Sequence, residues 1–292
     1  MKTATSKSSP KQPARAARRF NIGPAFTLIE LLVVIGPLAV LSAVLLPALA
    51  ASRAQSKTTA CTANFRQWAV SVNLYAADYH DTLPSFNWNN GFGGSYLWDV
   101  SPGMVTNMGP YGLTVPMWFC PFRPSEFDTA QTALGRNIVT VNDLQAAFDF
   151  NPYAECQIRH NWWVPRNGFP PQPNITRPTT EPVWMQNTPV GKYGYPNKLH
   201  SNAAIHVPFI SDVACSSLAT NSGVHGMGII VAPASGIASP DPANICPNTA
   251  HFVNGVLQGI NAAYADGHVE THNQANMLCG YVSGGSSTYW FY

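Results

Sequence analysis

Four residues near the C-terminal end have the types and spacing to bind a metal ion. They are Asp266, His268, Glu270 and His272. Alternate residues of a β-strand share one face, so a strand would bring the two histidines and Glu270 together. The alternative is that Asp266 and the following glycine form a tight turn and the histidines are ordinary surface residues. We therefore treat Asp266, His268 and His272 as weak candidates and expect no metal site.

Six cysteines could form disulfides or bind a metal ion; they are Cys61, Cys120, Cys156, Cys215, Cys246 and Cys279. None of them has the Cys-x-x-Cys or Cys/His spacing of a zinc site, which favours disulfides in an oxidising compartment. On a helix Cys61 would share a face with Phe65, and Cys120 follows a predicted strand end at residues 117–119. The sequence thus predicts a disulfide between Cys61 and Cys120. The alternative is two unpaired cysteines, buried as small apolar residues.

A single carboxylate, Glu30, lies at the edge of an apolar segment. Residues 31–52 contain no charged side chain, and as a helix they would be about 33 Å long, enough to cross a bilayer core of about 30 Å. A carboxylate is costly there without a partner, so Glu30 is predicted to be functional. The alternative is a side chain that reaches the lipid surface.

The residues around Glu30 resemble the processing site of type IV pilins and type II secretion pseudopilins. The shared features are a basic leader, the segment 26–30 (Phe-Thr-Leu-Ile-Glu) and an apolar helix. The resemblance implies that a prepilin peptidase cuts between Ala25 and Phe26 and that the new amino group of Phe26 is methylated. It also implies that Glu30 pairs with the amino terminus of a neighbouring subunit. Ala25 stands where glycine is usual in the family.

Two prolines lie inside the predicted helix. Pro47 is at a position where pilins often carry a kinking proline, whereas Pro37 interrupts a stretch that is normally aliphatic. Each proline removes one intrahelical hydrogen bond, which membrane helices tolerate when neighbouring helices satisfy the freed carbonyl. We expect helix kinks at Pro37 and Pro47.

Further motifs narrow the resemblance to prepilin-type proteins that are abundant in planctomycetes and verrucomicrobia. The matching segments are 61–67 (Cys-Thr-Ala-Asn-Phe-Arg-Gln), 118–121 (Trp-Phe-Cys-Pro) and 263–270 (Ala-Tyr-Ala-Asp-Gly-His-Val-Glu). In many members a histidine precedes the Asp-Gly pair at a fixed spacing that His251, the nearest upstream histidine, does not match. The similarity covers a minority of positions.

The helical pattern continues beyond the apolar segment. Apolar residues recur at spacings of three and four from Phe65 to Tyr79, which predicts one helix from near Phe26 to near Tyr79. Leu83-Pro84 should end it. The predicted organisation is a leader at 1–25, a transmembrane half-helix at 26–52, an exported half-helix at 53–83 and an extracytoplasmic head at 84–292.

The head is predicted to be rich in β-strands. Short apolar segments at 203–210 and 227–232 are typical of strands. Segments 260–265 and 268–272 flank an Asp-Gly turn, the strongest hairpin signal in the chain. The expected fold is therefore α+β, with a long N-terminal helix packed on a loop-rich antiparallel sheet.

Charge and motifs exclude several functions. Six basic and no acidic residues precede residue 26, so the processed chain has 10 basic against 14 acidic residues and a net charge of −4. This argues against nucleic acid as a partner, while the basic leader holds its end in the cytoplasm. No nucleophile motif, phosphate-binding loop or dinucleotide fingerprint is present. We expect no enzymatic activity and no cofactor.

The leading interpretation is a pilin-like structural subunit. It would span the inner membrane once, with a cytoplasmic N-terminus and a periplasmic head, and assemble with other subunits into a type II secretion pseudopilus or a type IV pilus-like filament. One alternative is a membrane-anchored or secreted polysaccharide-binding protein that uses aromatics at 86–90, 162–163 and 289–292. Another is cleavage by signal peptidase after residues 48–50 (Ala-Leu-Ala), which would release a soluble protein that begins at Ala51.

Overall fold

The computed structural model describes fifteen stretches of the chain. They are residues 27–85, 97, 99–101, 103–149, 156–158, 160–165, 189–217, 229–231, 238–240, 251–253, 256–257, 259–273, 277, 279–283 and 288–291. Contacts between residues divide the chain into one compact unit at Met1–Ala50 and a second at Ala51–Tyr292.

Helix α1 (Leu28–Asp78) has 51 residues and confirms the predicted long N-terminal helix. It continues through Pro37 and Pro47; kinks at these residues stay a prediction. The helix ends at Asp78, which confirms the predicted end near Tyr79 and lies five residues before the expected stop signal Leu83-Pro84. The chain leaves the helix through the left-handed region at His80 (φ 53°) and Asp81 (φ 69°). This backbone turn ends the helix before the chain reaches Pro84.

The remaining α-helices of the described residues are short. They are α2 (Gly103–Met108), α3 (Pro124–Leu134), α4 (Val141–Asp149), α5 (Pro189–Tyr193) and α6 (Asn202–His206). Two strand predictions are wrong here. Residues 203–210 begin as helix α6, because the hydroxyl of Ser201 accepts a hydrogen bond from the backbone N–H of Ala204 and caps it. Of residues 117–119, the first two belong to a 3₁₀ helix, Val115–Trp118, which has proline in its first turn, and Phe119 is its C-cap.

The strands in the described residues pair antiparallel throughout. They are β1 (Asp99–Val100), β2 (Cys156–Gln157), β3 (His160–Trp162), β4 (Ile210–Asp212), β5 (Ala214–Ser217), β6 (Ile229–Val231), β7 (Ala238–Pro240), β8 (Phe252–Val253), β9 (Val256–Leu257), β10 (Ile260–Ala263), β11 (Val269–His272), β12 (Cys279–Ser283) and β13 (Thr288–Phe291). The largest sheet has the order β11-β10-β4-β3, and a second has the order β12-β13-β5. The chain thus has the predicted α+β fold, and β6 confirms the strand predicted at 227–232.

The hairpin formed by β10 and β11 confirms the Asp-Gly prediction. Its register pairs Ala263 with Val269. The backbone N–H of Gly267 donates to the carbonyl of Tyr264 at 3.0 Å. Gly267 has φ 96°, which glycine adopts without the strain that a side chain would add.

The core of the second unit lies between helix α1 and the four-stranded sheet. Phe65, Trp68 and Val72 are fully buried on α1, as the apolar periodicity predicts. The ring of Trp68 contacts the rings of Trp118 at 4.7 Å and Trp162 at 5.5 Å between centroids. These aromatic contacts fix the sheet against the helix.

Candidate functional site

Two features of the structure could carry function, and the first is the start of helix α1. The hydroxyl of Thr27 accepts a hydrogen bond from the backbone N–H of Glu30 at 3.2 Å. In return, Oε2 of Glu30 accepts hydrogen bonds from the N–H of Thr27 at 3.0 Å and from its hydroxyl at 2.8 Å. This reciprocal arrangement is a capping box. The carboxylate predicted to act in assembly therefore also caps its own helix. Ala25 and Phe26, the predicted processing site, lie outside the described residues.

The apolar half of α1 is exposed along its whole length in the part of the chain that the structure describes. Every residue from 27 to 50 is exposed, including large side chains such as Leu28 at 78% and Val44 at 71%. The helix is long and apolar enough to cross a membrane, which by itself is weak evidence for a membrane span. An apolar helix surface of this extent requires lipid or other apolar surfaces around it.

The second feature is a group of four buried side chains in the second unit, which we call the buried cluster: Cys61, Cys120, Asp212 and His251. Four separate parts of the chain supply these residues. Cys61 lies on α1, and Cys120 follows the 3₁₀ helix. Asp212 ends strand β4, and His251 immediately precedes strand β8. None is more than 1% exposed.

The ligand-type atoms of the buried cluster converge on one point. One atom from each residue lies within 4.8 Å of the other three. Oδ2 of Asp212 is 3.3 Å from Nε2 of His251, and the thiol of Cys61 donates to Oδ1 of Asp212 at 3.4 Å. The backbone N–H of Asn261 donates to Oδ2 of Asp212 at 2.8 Å. Nδ1 of the buried His160 lies 3.7 Å from Oδ1 of Asp212. A buried carboxylate is costly without such partners or a cation beside it.

The orientation of His251 is fixed by the backbone. Its Nδ1 lies 2.8 Å from the carbonyl oxygen of Gly259, so Nδ1 carries a proton that it donates to this oxygen. Nε2 makes no hydrogen bond within the described residues, although it is buried and faces Asp212. Burial lowers the pKa of His251, but the charge of Asp212 and the neighbouring Cys120 outweigh it and raise the pKa to about 9. The buried cluster therefore attracts a positive charge.

The two thiols of the buried cluster have opposite tendencies to ionise. The neighbouring thiol of Cys61 lowers the pKa of Cys120 to about 5, with His251 also contributing. The same contact with Cys120, followed by burial and the charge of Asp212, raises the pKa of Cys61 well above its usual value. Cys120 is thus the thiol that ionises first.

The structure brings Cys61 and Cys120 together, as the predicted disulfide requires, and describes both as free, buried cysteines. This matches the alternative of two unpaired thiols. The predicted disulfide has no bond in the structure and stays a prediction.

The weak metal candidates lie elsewhere, around the β10–β11 hairpin. Nδ1 of His268 is 2.5 Å from Oδ1 of Asp266, and Nε2 of His272 is 2.7 Å from Oε2 of Glu270. As predicted, Glu270 lies beside both histidines, since Nε2 of His268 is 3.4 Å from Oε1 of Glu270. Each of these side chains therefore already has a partner within the hairpin. Within the described part of the chain, only the buried cluster brings three or more ligand-type residues to metal-binding distances.

No local sequence pattern indicates the buried cluster. Its residues lack the close spacing of a zinc motif, because each comes from a different element. Two of the family-like segments did contain members of the cluster, namely Cys61 and Cys120, but the resemblance carried no metal-binding role. Asp212 belongs to none of the sequence motifs described above. His251 does not have the spacing to the Asp-Gly pair that many prepilin-type proteins show.

Comparison of the chain with protein-family models, with curated proteins and with solved structures found no match.

Proposed function

We propose that the chain is a pilin-like structural subunit that is cut and methylated at Phe26, waits in the inner membrane and assembles through α1. The observation that carries the proposal is the position of Glu30, in the first turn of a 51-residue helix whose apolar half is exposed. Its partners are prepilin peptidase during processing and further pilin or pseudopilin subunits in the filament.

The exposed half of α1 supports both stages of this life cycle. In the membrane, lipid covers its apolar side chains, and in a filament the helices of other subunits cover them. Because residues 27–50 are all exposed, the same side chains are available in each state.

The capping box is compatible with an assembly role for Glu30. Both hydrogen bonds from Thr27 go to Oε2, and an ionised carboxylate has acceptor sites on both oxygens. A methylated amino terminus of a neighbouring subunit would supply a cation in an apolar setting, where a carboxylate and an ammonium group stabilise each other.

The mature N-terminus tests the proposal. Protein extracted from membranes should begin with methylated Phe26, as measured by intact mass and N-terminal sequencing. The matched control is the same chain in a host that lacks prepilin peptidase, where Met1 should be retained. A mature form that begins at Ala51 would instead identify a released protein.

The alternative of a polysaccharide-binding protein rests on exposed aromatic side chains, and two of the candidates are not exposed. Trp162 and Trp163 are buried, so neither ring is available to stack on a sugar. The aromatic side chains at 86–90 and 289–292 are not among those described. No contact in the described residues favours this alternative over the pilin-like subunit.

A further inference from the structure

The buried cluster has the chemistry of a closed metal site. Two thiols, an imidazole and a carboxylate are ligands that Zn²⁺ accepts, and four protein ligands without an open position are typical of structural zinc. We propose that the buried cluster binds one Zn²⁺ ion that fastens helix α1 to the sheet of the head.

The distances fit a tetrahedral ion. Ligand bonds of about 2.0 Å for nitrogen and oxygen and about 2.3 Å for sulfur place neighbouring ligands about 3.3 Å apart for a nitrogen and an oxygen, and about 3.5 Å for a sulfur and an oxygen. Oδ2 of Asp212 is 3.3 Å from Nε2 of His251 and 3.7 Å from the sulfur of Cys61. These two distances differ from the tetrahedral values by about 0.2 Å or less, and all four ligand atoms lie within 4.8 Å of one another.

Contacts around the ligands orient them as an ion requires. The carbonyl oxygen of Gly259 holds Nδ1 of His251, which leaves Nε2 pointing towards Asp212. The backbone N–H of Asn261 holds Oδ2 of Asp212. Metal-binding histidines and carboxylates usually have such partners. Without the ion, Nε2 of His251 carries a proton towards the carboxylate of Asp212, and Zn²⁺ would take the place of that proton.

A catalytic cysteine is the competing interpretation of these residues, and the geometry disfavours it. In nucleophilic triads the carboxylate holds Nδ1 of the histidine and leaves Nε2 for the nucleophile. Here the backbone holds Nδ1, and Asp212 lies beside Nε2. Cys120 is only 1% exposed, so a substrate has no access to its sulfur.

The protons and charges balance on binding. From the state with Cys120 ionised and His251 protonated, Zn²⁺ displaces one proton from the thiol of Cys61 and one from Nε2 of His251. Two thiolates, one carboxylate and one divalent ion then leave the site with a net charge of −1. The ion would join residues that are far apart in the chain, such as Cys61 and Asp212, which 151 positions separate. Because the unfolded chain does not bring these residues together, binding of the ion would stabilise the folded state.

The zinc proposal does not depend on the pilin-like function, and each can fail alone. The N-terminal residue tests processing, whereas metal content tests the buried cluster. An oxidised Cys61–Cys120 pair excludes the zinc site, because a disulfide sulfur is not the thiolate that zinc requires.

Metal analysis of the full-length protein is the direct test. The chain is expressed without a polyhistidine tag, extracted in detergent without chelator and analysed by mass spectrometry of metals. We expect about one zinc per chain. Exchange for Co²⁺ should give the visible absorption of a tetrahedral site and thiolate-to-cobalt charge transfer. Protein that stays metal-free after incubation with Zn²⁺ under reducing conditions, or that contains a Cys61–Cys120 disulfide in a non-reducing peptide map, would overturn the proposal.

Variants locate the ion. Cys120→Ser and His251→Gln should lose the zinc, whereas the controls Cys215→Ser and His268→Gln should retain it. His268→Gln also tests the weaker candidate site at the hairpin. Loss of zinc in His268→Gln with retention in His251→Gln would place the ion at the hairpin and contradict the proposal.

A measurement on the wild-type protein tests the proposal even if a variant does not fold. Chelation of the wild-type protein should lower its unfolding temperature, and Zn²⁺ but not Mg²⁺ should restore it, since thiolates select zinc over magnesium. An unfolding temperature unaffected by chelation, in protein shown to have lost its zinc, would contradict the structural role.

Discussion

Thr140 and Asp143 bind each other at the start of helix α4 in the same reciprocal pattern as Thr27 and Glu30 at the start of α1. Oδ2 of Asp143 accepts hydrogen bonds from the N–H of Thr140 at 2.9 Å and from its hydroxyl at 2.8 Å. The hydroxyl of Thr140 accepts one from the N–H of Asp143 at 3.1 Å. One helix is exposed and apolar at its start, and the other belongs to the head, so the same cap can be tested in both settings.

Replacing Thr140 with alanine should destabilise the head. Loss of a capping side chain costs about 1 kcal/mol, and the free energy of unfolding in urea measures it. Thr129→Ala is the matched control, because Thr129 is exposed inside helix α3 and alanine favours a helix. Equal losses in the two variants would mean that the cap contributes nothing specific.

The pH dependence of stability should reflect Asp143. Hydrogen bonds from Thr140, with Arg136 contributing less, hold the pKa of Asp143 well below its usual range. The folded state therefore binds this proton less readily than the unfolded state. The resulting stability is present above the unfolded pKa of about 3.9 and is lost as the pH falls below it.

The comparison of Asp143→Asn with the wild type at pH 7 and pH 3 checks this dependence. The variant should lose less stability on acidification, because its side chain has no proton to gain. Asp128→Asn, an exposed position on α3, serves as the control and should follow the wild type. An identical acid response in all three proteins would contradict the role of Asp143.

Two substitutions of Glu30 separate its capping role from its charge. Gln retains the acceptor oxygen that a capping box uses, whereas Val removes both the acceptor and the charge. If an ammonium group of a neighbouring subunit needs the charge, both variants should enter the membrane and neither should enter filaments. The measurement is the amount of each variant in membranes and in sheared filaments, and normal assembly of Glu30→Gln would assign Glu30 a capping role alone.

Gly259 should tolerate no side chain. It has φ 115°, and an added Cβ would lie 3.1 Å from the carbonyl oxygen of His272 and 3.2 Å from Cγ2 of Thr271. Gly267→Ala is the matched control, since Gly267 also has positive φ but has open space around it. We expect Gly267→Ala to cost about 1–2 kcal/mol from backbone strain and Gly259→Ala to cost more.

The zinc content of the two glycine variants adds a second measurement. The carbonyl of Gly259 holds His251, so a shift of this backbone should weaken metal binding in Gly259→Ala only. Equal unfolding free energies and equal zinc contents would show that the close contact at Gly259 is unimportant.

Sequence patterns predicted the elements whose conformation depends on residues close together in the chain. The spacing of Phe65, Trp68 and Val72 identified the buried face of α1, because a helix places these residues on one side. The Asp266-Gly267 pair identified the hairpin, because its turn needs a residue with positive φ. The α+β class followed from these two elements.

The buried cluster could not be predicted in this way. Its members meet only after β4 has paired with β10 and α1 has packed on the sheet, so no sequence window contains two of them at a metal-binding spacing. The strand prediction for residues 203–210 was wrong for a local reason. The Ser201 cap favours a helix over the strand that their apolar content suggests. A short apolar segment does not distinguish these two outcomes.

Among the described residues, four tryptophans are fully buried, and they give the protein an optical signal of its own: Trp68, Trp118, Trp162 and Trp163. An indole ring surrounded by apolar side chains emits at shorter wavelength than one in water, so unfolding should shift the emission to the red. The rings of Trp68 and Trp118 lie 4.7 Å apart and nearly perpendicular, a geometry that couples their transitions and contributes to near-ultraviolet circular dichroism. Loosening of α1 from the 3₁₀ helix before Cys120 would therefore be visible without any label.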